Sequence, residues 1–330
     1  MKGKLSIALM MGGDSGEYDV SIGSAAVINR FLSKDEFDVY PILVKGKEWN
    51  YIESDHQYFP VDKNDFSLEI SGRQVKFDCA FIAIHGTPGE DGKLQGYFEL
   101  MKIPFTTCDL TTSSLTFNKQ FCNEIAVQAG MNVAKTILLR RGGNWEASNL
   151  AKELGLPCFV KPNKSGSSVG VTKIYNIGEF EDAISKAFAE DDEVQVQQFI
   201  KGREMACGVY RHKGEIEVFP VTEIISKKDF FDYEAKYTAG MAEEITPAQI
   251  TQEEDYACRI MTRKLYEHFN CRGVVRFDYF LSEGKWWFLE VNTVPGFSEG
   301  SIIPKQAKAA GLGLDEFFAS LIHEAMTTTK

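Results

Sequence analysis

Apolar and polar positions along this chain follow two periods, and the switches between them mark its elements. Residues 5–11 are a continuous apolar run that ends at Gly12-Gly13, the pattern of a strand buried on both faces. Residues 21–32 carry helical spacing, 37–44 read as the next strand, 79–84 as another closed apolar run, and 94–101 as a helix. Strands alternating with helices predict a parallel sheet covered on both faces. Residues 104–114, rich in Thr and Ser, look like a crossing between domains. Beyond it the pattern predicts helices over 114–129, 145–154, 179–189, 251–269 and 314–326, and strands over 133–139, 157–162, 193–200, 205–210 and 215–221. Gly130 marks the end of the first of these helices. Residues 226–247 show no periodicity, and loops of that length are often lids over active sites.

The most informative alternation spans residues 276–292. Two runs rich in aromatic and β-branched residues, joined by a Ser-Glu-Gly-Lys turn, predict an antiparallel hairpin. Arg276 and Asp278 share one face of their strand, and Glu290 and Asn292 share one face of theirs. The opposite faces, Phe277, Tyr279 and Leu281 with Leu289 and Val291, are expected to pack on a core. If the two polar faces coincide, three oxygen ligands sit beside one guanidinium, and such hard oxygen sets suit Mg²⁺. The alternative is a solvated hairpin face carrying an ion pair.

Loops leaving the carboxyl ends of parallel strands form ligand crevices. The loop at residues 12–21 carries Glu17 and Asp19, and the loop from His85 carries further polar groups. GxGxxG is absent, and acids there would repel a pyrophosphate, so Glu17 better suits a cationic group such as an amine; an exposed loop acid is the plainer reading. A strand ending in Lys161 feeds a loop dense in Gly, Ser and Lys, which offers N–H groups, hydroxyls and ammoniums to phosphate. It lacks the GxxxxGK[ST] of a P-loop, and a plain flexible turn is the alternative.

Composition narrows the class. A length of 330 residues suits two or three domains, and the apolar (44%) and charged (25%) shares are ordinary for a globular protein. The formal charge of −11 argues against a nucleic-acid partner. Seven cysteines without a CxxC look like buried thiols in a reducing cytosol. No signal peptide is visible, and no apolar run approaches the ~20 residues that span a bilayer, so a cytoplasmic location with no membrane partner is expected.

The Arg-x-Asp and Glu-x-Asn pairs of the hairpin, Lys-Pro-x-x-x-Gly-Ser-Ser-x-Gly at 161–170, His-Gly-x-x-Gly-Glu-Asp-Gly at 85–92 and Tyr-Glu-Ala-Lys-Tyr at 233–237 occur in one order over nearly the whole chain. Together they resemble the D-alanine–D-alanine ligases, an ATP-grasp family. The resemblance implies a three-domain α/β architecture: an N-terminal parallel-sheet, Rossmann-like domain over 1–108, a central ATP-grasp subdomain over 109–210, and a C-terminal subdomain with the metal site over 211–330. It implies the reaction of ATP with two D-alanines to give D-alanyl-D-alanine, ADP and phosphate through a D-alanyl phosphate, for peptidoglycan synthesis.

Residue by residue, the resemblance implies that Asp278, Glu290 and Asn292 hold two Mg²⁺ ions, for which Mn²⁺ can substitute. Lys119, Lys161 and Ser168 would meet the nucleotide phosphates, Lys236 on the lid the γ-phosphate, and Glu204 the ribose hydroxyls. Arg276 and the Gly296 N–H would stabilise the tetrahedral oxyanion, one such donor being worth roughly 3 kcal/mol. Glu17 would bind the ammonium of the first D-alanine, with Ser167 and Tyr237 as its hydrogen-bonding partners. Ser301 and Ile302 would receive the second substrate's carboxylate, and His85 lies near the first substrate in the family. In relatives that use D-lactate the lid tyrosine is typically replaced, so Tyr237 favours an amine nucleophile. Family members are usually dimers, which implies a homodimer.

The chain departs from the family pattern in three places: Gln197-Gln198 stand where many relatives have Glu and Lys on the adenine strand, Tyr18-Asp19 replace an Arg-Glu pair, and Lys164 replaces a loop arginine. Rival readings are another ATP-grasp ligase joining a different amino or hydroxy acid, and a non-catalytic nucleotide-binding regulator.

Overall fold

The structure, a computed structural model, describes residues 3–54, 57–166, 168–226 and 242–328. In the first sheet β1 (Leu5–Gly12), with Ile7 to Met10 wholly buried, is followed by helix α1 (Tyr18–Phe31) and β2 (Phe37–Lys45). A meander comes next: β3 (Glu48–Ser54), β4 (Gln57–Asp62), β5 (Ser67–Ile70) and β6 (Arg73–Lys76). Then β7 (Cys79–Ile82) leads to helix α2 (Lys93–Met101). The order is β6-β5-β4-β3-β2-β1-β7. β1 pairs in parallel with β2 and β7, as the alternating pattern predicts, whereas β2 to β6 pair antiparallel. The meander left no clear signal in the sequence because its side chains are mostly half-buried or exposed.

The helix expected over 114–129 is two helices, α3 (Leu110–Phe117) and α4 (Lys119–Gln128). Asn118 between them is extended (φ −82°, ψ 104°), and its side chain accepts from the Phe121 N–H at 3.2 Å and from Asn163 Nδ2 at 3.0 Å. An asparagine that caps the next helix ends the previous one, and Lys119 therefore stands at a helix N-terminus. The strand expected over 133–139 is likewise two, β8 (Asn132–Val133) and β9 (Thr136–Arg140), which lie in different sheets.

The second sheet is antiparallel, of order β11-β10-β12-β9. Its further members are β10 (Cys158–Pro162), β11 (Thr172–Ile174) and β12 (Glu193–Gln198); α5 (Ala147–Leu154) and α6 (Phe180–Glu190) supply its core with Leu150, Leu154, Phe180 and Ile184. Alternation along β10 sends Cys158 and Val160 into that core. Phe159 and Lys161 consequently face a large cavity.

In the third sheet the order is β16-β15-β13-β17-β18-β8, with β14 also on β13. Its strands are β13 (Arg203–His212), β14 (Glu215–Val218), β15 (Thr222–Ser226), β16 (Ala242–Ile245), β17 (Val274–Ser282) and β18 (Lys285–Asn292). Helix α7 (Gln252–His268) starts in a capping box of Thr251 with Glu254. Because β13 pairs with β17 along its length, the third sheet begins before the division expected at residue 210.

Two helices end the chain, α8 (Ile302–Ala309) and α9 (Leu314–Thr328). α9 joins the first unit to the third: Phe318 meets Phe81 of β7 edge-on at 6.0 Å, and Phe317 meets Tyr210 of β13 at 5.2 Å. All seven cysteines are buried and outside any disulfide. No helix among the described residues is long and apolar enough to cross a membrane.

Candidate active site

The hairpin of β17 and β18 pairs Arg276 with Asn292, Phe277 with Val291, and Asp278 with Glu290. The two polar faces therefore coincide, and the face carrying Phe277, Tyr279 and Val291 is buried. A bulge follows at Asp278/Tyr279, after which Tyr279 opposes Phe288. The extra residue is Leu289: expected in the core, it lines the cavity instead, because a bulge turns one side chain out of alternation. Trp286 and Phe288 take the core positions.

Arg276 grips Asp278 with two parallel bonds, Nε to Oδ1 at 2.8 Å and Nη2 to Oδ2 at 2.7 Å, and Asn292 Nδ2 donates to Oδ2 at 3.0 Å. Burial would lower the arginine's pKa; the Asp278 carboxylate outweighs it, with help from Glu290, and the shift is upward. The guanidinium therefore stays charged. Among the described residues no cluster of three His, Cys, Asp or Glu side chains could hold a metal. Two facing carboxylates and an amide, short of a full shell, fit Mg²⁺, which completes its octahedron with water and phosphate oxygens.

The cavity between the second and third sheets has a volume of about 700 Å³ and extends to the loops of the first. Lys119, Lys161, Ser168 and Glu204 line it, with Phe159, Phe280 and Trp287 as apolar walls. Lys161, 8% exposed, donates to Gln197 Oε1 at 2.9 Å, and Gln197 Nε2 donates to Thr136 at 3.0 Å. Gln197 therefore holds the lysine, while Gln198 also lines the cavity. Lys119 donates to the Ser165 carbonyl, which ties α4 to the loop after β10. Asn163, wholly buried, reinforces that tie through Asn118 and the Gln120 N–H. Lys164 turns the other way, to Asp191 and Glu193.

From the first unit come Glu17, His85 and Glu90. Glu17 precedes α1 without capping it through its side chain, and its Oε2 lies 2.7 Å from where a Cβ on Gly166 would sit. A side chain at 166 would force that carboxylate to move. His85 is 4% exposed; its Nδ1 donates to the Val294 carbonyl at 2.8 Å, and its Nε2 lies 3.1 Å from Ser24 Oγ. A carbonyl only accepts, so the proton is on Nδ1 and the serine hydroxyl donates to Nε2. Burial first, then Arg276, lowers the His85 pKa against the opposing pull of Glu17, and the ring is neutral. Glu90 accepts from the Gly86 N–H at 2.7 Å and the Val294 N–H at 3.1 Å. Burial and then the charge of Glu17 push its carboxyl up to about 8.

Gly296, Ser301 and Ile302 close the cavity at the start of α8. A Cβ at Gly296 would lie 2.7 Å from Ser301 Oγ, and Ser301 Oγ is 2.7 Å from Ser298 Oγ. A helix N-terminus bearing hydroxyls suits a carboxylate. Ser167, Lys236 and Tyr237 lie outside the described residues.

Two family models match the chain: D-ala D-ala ligase N-terminus over residues 6–108, and D-ala D-ala ligase C-terminus over 125–323. The D-alanine--D-alanine ligase of Phocaeicola vulgatus is 42% identical over 320 residues, 97% of this chain and 98% of that protein. The D-alanine--D-alanine ligase of Flavobacterium johnsoniae is 42% identical over 317 residues, 96% of this chain and 98% of that protein. The chain belongs to the D-alanine–D-alanine ligase family.

Solved structures of similar shape include the VanG D-Ala:D-Ser ligase from Enterococcus faecalis, with a TM-score of 0.87 at 33% identity, covering 98% of this chain and 100% of that one. Another is D-alanyl-alanine synthetase A from Vibrio cholerae, with a TM-score of 0.89 at 27% identity, covering 99% and 100%. The ATP-grasp fold is thus the fold of this ligase. Glu90 and Ser24 join this site without a role in the pattern that the sequence displays. Glu90 stands inside the motif at 85–92 and could have been found there. Ser24, a small polar residue on a helix, gives no signal until the loop from the far end of the chain is folded against it.

Proposed function

We propose that this chain joins two D-alanine molecules into D-alanyl-D-alanine at the cost of one ATP, supplying peptidoglycan synthesis in the cytoplasm. The observation that carries this reading is the hairpin register, which sets Asp278, Glu290 and Asn292 beside Arg276, with Arg276, Glu290 and Asn292 lining a cavity that Lys119 and Lys161 share with Glu17.

A carboxylate does not acylate an amine until one of its oxygens becomes part of a leaving group. Glu17 takes the ammonium of the first D-alanine and so turns its carboxylate toward the γ-phosphate, while Lys119, Lys161 and Ser168 hold the phosphates and Glu204 the ribose. A carboxylate oxygen displaces ADP from the γ-phosphorus, giving D-alanyl phosphate. Phosphoryl transfer asks for alignment and charge neutralisation above all. Asp278, Glu290 and Asn292 would hold two Mg²⁺ ions, or Mn²⁺, whose chemistry here is to neutralise phosphate charge. Ser301 and Ile302 at the start of α8 receive the second D-alanine's carboxylate. Its amine, having lost a proton, attacks the acyl carbon. Arg276 and the Gly296 N–H meet the oxyanion, and phosphate departs with the oxygen that had been the first substrate's carboxylate oxygen. Lys236 on the lid reaches the γ-phosphate in this scheme, and Ser167 and Tyr237 join Glu17. The working form is a homodimer.

The test is coupled ADP release with product analysis across D-alanine, D-serine, L-alanine and D-lactate as acceptors. D-alanine is expected to be the preferred acceptor. A stronger response to D-serine would move the reading to a D-Ala:D-Ser ligase such as VanG, and no ADP release with any acceptor would leave a nucleotide-binding protein without turnover.

A further inference from the structure

Residues 294–297 pass between the metal hairpin and α8, and three side chains of the first unit hold them. Val294 is gripped on both sides of its backbone: its N–H donates to Glu90 Oε1 at 3.1 Å and its carbonyl accepts from His85 Nδ1 at 2.8 Å. Pro295 has no N–H to give. Phe297 N–H donates to Ser24 Oγ at 3.1 Å, and Ser24 in turn reaches His85 Nε2 at 3.1 Å. Glu90 is itself fixed, its second oxygen taking the Gly86 N–H at 2.7 Å. Ser24, His85, Val294 and Phe297 are each less than 5% exposed. Between the two held ends stands Gly296, which lines the cavity.

We propose that Glu90 is a positioning residue for the ligation: acting through Val294, and together with Ser24 through Phe297, it fixes the turn so that the Gly296 N–H points at the oxyanion of the tetrahedral intermediate. This rests on the ligase reading given above. An oxyanion donor works by standing in place before charge develops, and a donor on a turn that can rotate loses that advantage. Gly296 cannot be fixed by a side chain of its own, because a Cβ there would strike Ser301. The turn is therefore held from outside, by a unit separate in sequence by some two hundred residues. One consequence is that the second half-reaction depends on the docking of the first unit against the third, while nucleotide binding between the second and third sheets does not.

The test compares wild type with Glu90→Gln and, independently, Ser24→Ala. Glutamine keeps the size of the side chain but presents an NH₂ to one of the two N–H donors. Each variant is measured for kcat, for the KM of ATP, for ADP affinity, and for affinity toward a phosphinate dipeptide analogue, tetrahedral at phosphorus. The expected result is a fall in kcat of about 10- to 100-fold in Glu90→Gln with a matching loss of phosphinate affinity, and a smaller loss of both in Ser24→Ala, while the KM of ATP and ADP affinity stay within about twofold. Retained kcat in Glu90→Gln, or equal losses of ADP and phosphinate affinity in both variants, would overturn the proposal, since a general loosening of the fold weakens every ligand alike. A wild-type chain that forms no D-alanyl-D-alanine would overturn the ligase reading itself.

Discussion

Glu290 faces Asp278 across two strands, with Asn292 two pairs further along, and the role of these residues depends on charge as much as on place. Glu290→Gln keeps the shape of the side chain and removes its negative charge, so turnover is expected to fall about 100-fold or more with the fold intact. Steady-state rates beside a thermal unfolding curve check this; a normal rate would contradict the metal assignment. His85 gives a prediction of a different kind. Its pKa is held below the ordinary 6.5 by burial, so the unfolded chain binds a proton more readily than the folded one. The stability this neutral ring contributes is complete above about pH 6.5 and is lost as pH falls through it. His85→Asn, which removes the titration, should flatten that acid loss in urea unfolding measured between pH 5 and 8. At this scale the sequence displayed the polar partners of the hairpin directly, because period-two alternation assigns faces without knowledge of the fold. It did not display what His85 touches: Val294 is brought to it only by the folded chain.

Elements were legible where they were long and strongly periodic, and misjudged where one side chain interrupts them. Nothing in the apolar spacing of residues 114–129 betrays the break at Asn118, since both helices keep helical period; the break exists because Asn118 bonds to Phe121 and to Asn163, just past the end of β10. Asn118→Ala should therefore cost about 1 kcal/mol as a lost cap. Because Lys119 is the first residue of α4, the same change should raise the KM for ATP several-fold. Denaturant unfolding and ATP titration together check the pair of effects; a stability loss with an unchanged KM would separate the cap from the lysine. Leu289 was misplaced for a similar reason: strict alternation puts it in the core, and a bulge is invisible to alternation. The antiparallel strands of residues 48–76 escaped because their half-exposed faces alternate weakly.

At the scale of the whole molecule, three sheets from successive parts of the chain close on one cavity, and the pieces that lock them together come from far along it. α9 sets Phe318 against the first sheet and Phe317 against the third, and the turn at 294–297 is held by Glu90, His85 and Ser24. Such long-range closures leave little mark on a single sequence, which is why the hairpin could be read in advance and its docking partners could not. The closure matters for chemistry, because an acyl phosphate must form and be consumed in one place. The most direct test follows the oxygen: D-alanine labelled with ¹⁸O in its carboxyl group is turned over with ATP and magnesium, and the released phosphate is analysed by mass. Activation through D-alanyl phosphate predicts one ¹⁸O in each phosphate for every dipeptide formed; dipeptide accompanied by unlabelled phosphate would contradict it.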